Sequence, residues 1–186
     1  MTARGGMVGR MKTIAAIAVL GTVAITPEAV AQNRPCSPNP EELAITQDSL
    51  LFEIGGFPIK LCFQRLPVRA GSGTMSWQAI GNDVPVIHTN VLLDIGGVQV
   101  GSGSYGLYLT PQQGEWLLRV VWMPYPGFEQ SAGSVADRVV GHIYVPAERI
   151  RTPTQSLDIQ ARGAGRNAIL FLTWGDIEVT IPVVQQ

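Results

Sequence analysis

The sequence has few charged residues, and no segment carries the sustained 3.6-residue apolar stripe of an amphipathic helix. Only 15% of its 186 residues are Asp, Glu, Lys or Arg, and the formal net charge is −1. Nucleic acids and anionic membrane surfaces select basic faces, so this balance argues against both as the main partner. The 21 glycines and 13 prolines argue against a helical bundle, because these residues weaken or break helix interiors.

In place of helices, the chain carries short apolar stretches separated by turn signals. Hydrophobic residues make up 46% of the sequence, enough for one domain with a buried core. Residues 59–63 alternate between apolar and polar side chains, a period of two that is typical of a half-buried strand. About ten such strands follow one another from residue 50 onward, at the spacing of a sandwich or barrel. We therefore predict one all-β domain over residues 49–186, an antiparallel β-sandwich or jelly roll, after an irregular segment over 32–48.

Several predicted elements have definite boundaries. LFEIGG at 51–56 and LLDIGG at 92–97 predict the same two-glycine hairpin twice. Separate strands are predicted at 74–80, 156–162, 168–174 and 177–183. A short helical turn is predicted at 40–43 or at 134–138.

The N-terminus has the three parts of a secretory signal peptide. Three basic residues within the first 12 positions precede an apolar run at 13–26, and Ala29-Val30-Ala31 is a small-x-small cleavage motif. The run is shorter than the roughly 20 residues that span a bilayer. We expect residues 1–31 to be removed between Ala31 and Gln32, leaving no stable membrane span; an uncleaved anchor is the alternative.

Cys36 and Cys62 are the only cysteines, and both lie in the part expected to remain after cleavage. An exported chain meets an oxidising compartment, so an even pair indicates a disulfide. Free thiols and metal binding are the alternatives, although two lone cysteines at this separation do not match a zinc-site spacing. We expect the disulfide to hold the proline-rich segment near Cys36 against the first long strands.

Two patterns suggest ligand chemistry that their context does not support. GSGSYG at 101–106 matches the dinucleotide fingerprint, but a predicted strand follows where the fingerprint needs a helix. His88 and His142 could join an aspartate in a two-histidine, one-carboxylate metal site, yet neither lies in a ligand-spaced pair. The carboxylates considered for such a site are Asp83, Asp94 and Asp137. We predict no metal and no cofactor.

The chain offers no recognisable catalytic motif. It lacks the G-x-S-x-G turn of an α/β-hydrolase, and paired cysteines leave no Cys-His nucleophile. The catalytic residues of any activity are therefore unknown at this stage, although a serine, a histidine and an aspartate brought together from different strands remain an open alternative.

The four tryptophans, Trp77, Trp116, Trp122 and Trp174, suit either a sandwich core or an exposed sugar- or peptide-binding platform. Both readings stay open for each of them.

A candidate ligand site comprises Arg65, Trp77, Asn82 and Asp83. Arg65 follows one predicted strand, and Asn82 and Asp83 lie between two others. Loops held on a rigid β-scaffold cluster at its ends and often carry function. We predict that these four residues converge on one side of the domain. The alternative is that Arg65 and Asp83 form an ion pair that only braces two turns.

The order of several motifs resembles an exported bacterial family known as domain of unknown function 2911. QRLPVR at 64–69, WQAIGND at 77–83, SGSYGL at 102–107 and LFLTWG at 170–175 follow the family's sequence of motifs, with Pro111 and Trp116 between the last two. The likeness extends over about 52–183. The family's arginine after the first tryptophan is Gln78 here. The resemblance implies a fold and an extracytoplasmic location, and it implies no reaction.

We therefore expect a periplasmic or secreted protein that is a non-catalytic binding or accessory module. Its partner would be an extracytoplasmic glycan, peptide or envelope protein. A hydrolase of unknown specificity is the main alternative, and a structural envelope protein acting through a sheet edge is another.

Overall fold

The structure, a computed structural model, describes residues 36, 47–68, 84–112, 115–123 and 134–186. In these ranges the chain is built almost wholly of strands, with one short helix. The elements are β1 (Gln47–Ile54), β2 (Phe57–Gln64), β3 (Val86–Thr89), β4 (Leu93–Ile95), β5 (Val98–Val100), β6 (Gly103–Gln112), β7 (Glu115–Trp122), α1 (Ser134–Asp137), β8 (Val139–Val145), β9 (Ala147–Ala164) and β10 (Asn167–Gln185). The all-β prediction is confirmed.

The described strands form two antiparallel sheets. One has the order β1-β2-β3-β6-β7-β8, and the other has the order β5-β4-β10-β9. Alternate side chains of each strand point to opposite faces, and the inner faces of the two sheets share one core, as in a sandwich. Fully buried side chains from both sheets fill it, among them Leu61, Ile87, Leu107 and Leu118 from the first and Leu157, Leu170 and Ile181 from the second. Each such side chain contributes about 1.5–3 kcal/mol relative to an exposed position.

The two similar sequence stretches form the same hairpin. Gly55 and Gly56 connect β1 to β2 with φ of 63° and 82°, and Gly96 and Gly97 connect β4 to β5 with φ of 62° and 100°. Positive φ at both central residues defines the type I′ turn, whose twist matches that of paired strands. Glycine adopts it without the steric cost that a Cβ brings, so the local sequence was sufficient to predict both turns.

The C-terminal half of the chain differs from the prediction. The strands expected at 168–174 and 177–183 are one strand, β10, which continues through Gly175 with a register shift on either side. Gly175 has a φ of 59°, so it forms an irregularity within the strand where a turn was expected. Its partner β9 begins at Ala147, well before the predicted residue 156. The early part of β9 is mostly exposed and lacks a buried alternate face, so burial gave no signal for it. Residues 147–149 and 154 pair with β10, with a register shift between them.

The segment after β2 crosses from one sheet to the other. The amide of Val68 donates to the carbonyl of Gln155 (2.8 Å), and the amide of Leu157 donates to the carbonyl of Leu66 (2.8 Å). A bridge between Pro67 and Ser156 lies between these bonds. The end of β2 is thereby fixed against the middle of β9, and Arg65 lies where the two sheets meet.

Of the remaining predicted elements, one helical turn is present and two elements lie outside the described residues. Helix α1 confirms the helical turn expected at 134–138. The predicted strand at 74–80 and the predicted turn at 40–43 lie outside the described residues. Helix α1, the one helix in the described ranges, lacks the length and apolar character needed to cross a membrane.

Candidate functional site

Arg65, the first residue of the predicted site, bridges the two sheets through carboxylates. Its Nη2 lies 2.7 Å and its Nε 2.8 Å from Oδ2 of Asp48 in β1. Its Nη1 lies 3.4 Å from Oδ1 of Asp158 in β9. The three side chains are between 28% and 48% exposed. Water screens such ion pairs, so this cluster stabilises the junction of the two sheets only modestly, by about 0–1 kcal/mol.

The ion pair changes the acid strength of Asp48. The side-chain hydrogen bond from Arg65 lowers the pKa of this carboxyl below its ordinary value of 3.8, and the amide of Ser49 lowers it further by donating to Oδ1 (2.8 Å). The charged form of Asp48 is therefore favoured in the folded protein. Arg65 thus has well-placed structural partners other than the predicted Asp83.

The other three residues of the predicted site, Trp77, Asn82 and Asp83, lie outside the described residues. Their convergence with Arg65 stays a prediction, as does a contact between Arg65 and Asp83. Strand β2 pairs antiparallel with β3, with Cys62 opposite Val86. The chain therefore leaves β2 and enters β3 at the same end of the sheet, which is compatible with that prediction.

The cysteine pair is bonded as predicted. Cys36 and Cys62 form a disulfide with a Cα–Cα distance of 5.4 Å, inside the usual range of about 4.4–6.8 Å. Cys62 is buried in β2. Its two sequence neighbours point into the core, so Cys62 lies on the outer face of the six-stranded sheet. The disulfide therefore attaches the N-terminal segment to that outer face. The predicted cleavage residues Ala31 and Gln32 are outside the described residues.

A buried serine–histidine pair lies on the six-stranded sheet. His88 in β3 pairs with Ser104 in β6, and Nδ1 of His88 is 2.7 Å from Oγ of Ser104. His88 is fully buried and Ser104 is 2% exposed. Sequence reasoning missed this pair because the two residues are 16 positions apart and meet only through the strand register. His142, by contrast, is exposed on β8.

The described tryptophans differ in burial. Trp116 and Trp174 are buried in the core, where with Leu157 and other apolar side chains they line a cavity of about 10 Å³, too small for more than one water molecule. Trp122, at the end of β7, is 47% exposed. Trp77 is outside the described residues.

A concavity lies at the β6–β7 hairpin, beside β8. It has a volume of about 580 Å³ and is lined by Pro111, Gln112, Glu115 and Tyr144. Gln112 pairs with Glu115, and Leu117 pairs with Tyr144. The alternation along β7 then puts Glu115 and Tyr144 on the outer face of the sheet. We call this feature the hairpin concavity.

One hydrogen bond orients the aromatic ring of the hairpin concavity. The Tyr144 hydroxyl donates to Oε1 of Gln112 (3.1 Å), and the Tyr144 side chain is 52% exposed. A ring held by its polar end presents a fixed face to solvent. Sequence reasoning did not single out these residues, because Gln112 and Tyr144 are 32 positions apart and no short motif connects them.

Two further sequence patterns can be placed. The glycines at 101–106 lead into strand β6, as predicted, and no helix begins there to receive a phosphate. Among the residues that the structure describes, no group of three or more His, Cys, Asp or Glu side chains is arranged to hold a metal ion.

Comparison with known proteins gives one informative match. Neither the curated proteins nor the solved structures contain a significant match to this chain. The profile of a family described as "Protein of unknown function (DUF2911)" matches residues 68–183, which is more than half of the chain and includes most of both sheets. This match confirms the family suggested by the order of the sequence motifs. The chain belongs to the DUF2911 family.

Proposed function

We propose that this protein is an exported, non-catalytic binding or accessory module that acts outside the cytoplasm. The predicted signal peptide over 1–31 supports export. The Cys36–Cys62 disulfide supports it independently, because structural disulfides persist in oxidising compartments and are rare in the cytosol.

The single observation that carries the binding role is the hairpin concavity. Its volume of about 580 Å³ falls within the range of small-ligand sites, and it combines a half-exposed aromatic ring with an amide and a carboxylate. Aromatic rings with a polar end provide large contact areas at binding surfaces. The Tyr144–Gln112 hydrogen bond pre-organises the ring, which lowers the entropy cost of binding.

A thermal-shift screen of the mature chain against envelope glycans and short peptides tests this role. We expect at least one ligand to raise the melting temperature, and Tyr144→Ala to remove that increase. Val140→Ala is the matched control, since Val140 lies on the same strand with a comparable exposure of 46%. A screen in which no ligand stabilises the protein contradicts the proposal, as does an increase that Tyr144→Ala leaves intact.

The serine–histidine pair favours a hydrolase as the second candidate. A hydrogen bond of 2.7 Å between Ser104 and His88 matches the distance between a nucleophile and its general base. Their burial counts against this role, because a nucleophile must be reached by its substrate. The pair also fits a structural role, in which two buried polar groups satisfy each other.

An organophosphonate that labels reactive serines separates the two roles. We expect no labelling of Ser104 in the folded protein, and we expect Ser104→Ala to alter stability only. Stoichiometric labelling that His88→Gln abolishes would favour the hydrolase.

A further inference from the structure

We propose that the hairpin concavity binds the cationic side chain of a peptide, an arginine guanidinium or a lysine ammonium. This inference rests on the proposed function and names the ligand class of the same site. It follows from the chemistry of the lining residues and from their place at the edge of the sheet.

The described lining residues present negative potential and no positive charge. Glu115 supplies a carboxylate, Gln112 an amide oxygen and Tyr144 the face of an aromatic ring, and Pro111 completes the wall. Cations are attracted to ring faces and to carboxylates, whereas anions are repelled by both. A cationic ligand is therefore electrostatically complementary to this surface.

The basic residue of β7, Arg119, lies outside the described lining of the concavity. Arg119 is four residues beyond Glu115, about 13 Å along an extended strand. Its Nη1 donates to Oγ1 of Thr110 (3.4 Å) in β6. Among the described residues it forms no ion pair with Glu115. Glu115 itself is exposed, and its carboxylate is open to a ligand from solvent.

The ring geometry favours a planar or compact cation. The bond from the Tyr144 hydroxyl to Gln112 holds the ring by its polar end, while 52% of the side chain stays exposed. A guanidinium can lie over that ring face and still donate to the Glu115 carboxylate, because its donors lie in the plane of the group. A neutral sugar can stack on the ring but gains no benefit from the charge of Glu115.

The position of the concavity favours a peptide as the carrier of that cation. Tyr144 belongs to β8, the outer strand of the six-stranded sheet in the described chain. An extended peptide can lie beside an outer strand, with its alternate side chains reaching pockets on the face. A cationic residue of such a peptide would reach the concavity.

The test is a titration of the mature protein with two peptides that differ in one charge. The probes are acetyl-Gly-Arg-Gly-amide and the same peptide with citrulline, a neutral isostere of arginine. We expect the arginine peptide to bind about two- to fivefold more tightly, the range of a single exposed ion pair with Glu115. Equal binding of the two peptides would overturn the inference.

Four variants assign the effect to the site. Glu115→Gln should abolish the preference for arginine over citrulline, and Tyr144→Ala should weaken binding of the arginine peptide. Tyr144→Phe keeps the ring face and should retain most of the preference. Glu53→Gln removes an exposed carboxylate on β1 and should leave the preference unchanged. A preference that survives Glu115→Gln would contradict the inference.

The outcomes also separate this inference from the proposed function. If a neutral oligosaccharide such as chitotetraose binds, and Tyr144→Ala abolishes it while Glu115→Gln does not, the module binds a ligand at this concavity but the cation inference is wrong. If neither peptide nor oligosaccharide binds, and the wider screen is also negative, both proposals fail.

Discussion

At the scale of single residues, Arg65 illustrates how an exposed charge acquires a structural role. Its two partners among the described residues, Asp48 and Asp158, lie 17 and 93 positions away, one in each sheet. An arginine can serve both because its guanidinium presents several donors in one plane. The same side chain therefore connects β1 with β9 at the point where the chain crosses between the sheets.

We predict that Arg65→Gln lowers the free energy of unfolding by about 0.2–1 kcal/mol at low salt, the usual range for exposed ion pairs. Urea unfolding at low salt measures the change, and high salt should reduce it. Arg151→Gln, an exposed arginine on β9 outside this cluster, is the matched control and should change stability less. A loss of several kcal/mol, or none at low salt, would contradict this account.

The lowered pKa of Asp48 adds a pH dependence with a definite sign. A carboxyl whose pKa is lower in the folded than in the unfolded protein contributes stability that is present above its ordinary value of 3.8. That contribution is lost as the pH falls through the lowered value. We therefore expect the stability difference between the wild type and Arg65→Gln to be constant near neutral pH and to shrink below about pH 3.8. A difference that grows in acid would contradict the assignment.

At the scale of secondary-structure elements, two strands from different sheets come into close contact at Gly141. A Cβ added to Gly141 in β8 would lie 2.8 Å from Cγ1 of Val98 in β5. Valine is stiff at χ1 because of its branched Cβ, so it cannot move aside cheaply. The glycine in β8 therefore lets the edges of the two sheets approach each other.

We predict that Gly141→Ala destabilises the protein by about 1–3 kcal/mol, the cost of overpacking. Thermal or urea unfolding measures the loss, and the double variant Gly141→Ala/Val98→Ala should recover part of it. Gly101→Ala is the control, because among the described residues nothing lies within 4 Å of its added methyl group. If Gly141→Ala and Gly101→Ala behave alike, the close approach is not important for stability.

At the scale of the whole molecule, the disulfide connects the N-terminal segment to a sheet that pairs without it. Strands β1 and β2 pair over eight residues each, and the disulfide joins Cys36 to Cys62 in β2. The disulfide closes a loop between two residues that are 26 positions apart. Such a bond stabilises a protein mainly by restricting the unfolded chain. The disulfide should therefore affect stability more than fold.

We expect the double variant Cys36→Ser/Cys62→Ser to lose about 3–4 kcal/mol of unfolding free energy and to keep its strand content by circular dichroism. Urea unfolding with and without reductant provides the measurement. Reductant should destabilise the wild type and leave the double variant unchanged. Identical unfolding midpoints for the oxidised and reduced wild type would contradict the prediction.

Export is the second prediction that concerns the whole molecule. N-terminal sequencing of protein from the periplasm or medium should begin at Gln32 or at its cyclised form. Ala31→Leu places a large residue where signal peptidase requires a small one, and it should block this cleavage. Recovery of the full-length chain from the cytoplasm would refute both export and the compartment argument for the disulfide.

The sequence by itself determined the features that depend on neighbouring residues. Alternation with a period of two predicted strands, and glycine pairs predicted two turns that require positive φ at both positions. The cysteine count and the N-terminal pattern predicted the disulfide partners. In each case the physical requirement acts over a few residues, or only one pairing is possible, so no tertiary information is needed.

The tertiary structure alone decided which distant residues meet. The partners of Arg65, the contact between His88 and Ser104, and the bond between Tyr144 and Gln112 all depend on strand order and register. The continuation of β10 through Gly175 was likewise set by its long pairing with β9, which overrode a local turn signal. Strand register is fixed by the burial of whole sheet faces, a non-local free energy that no short stretch of this sequence contains.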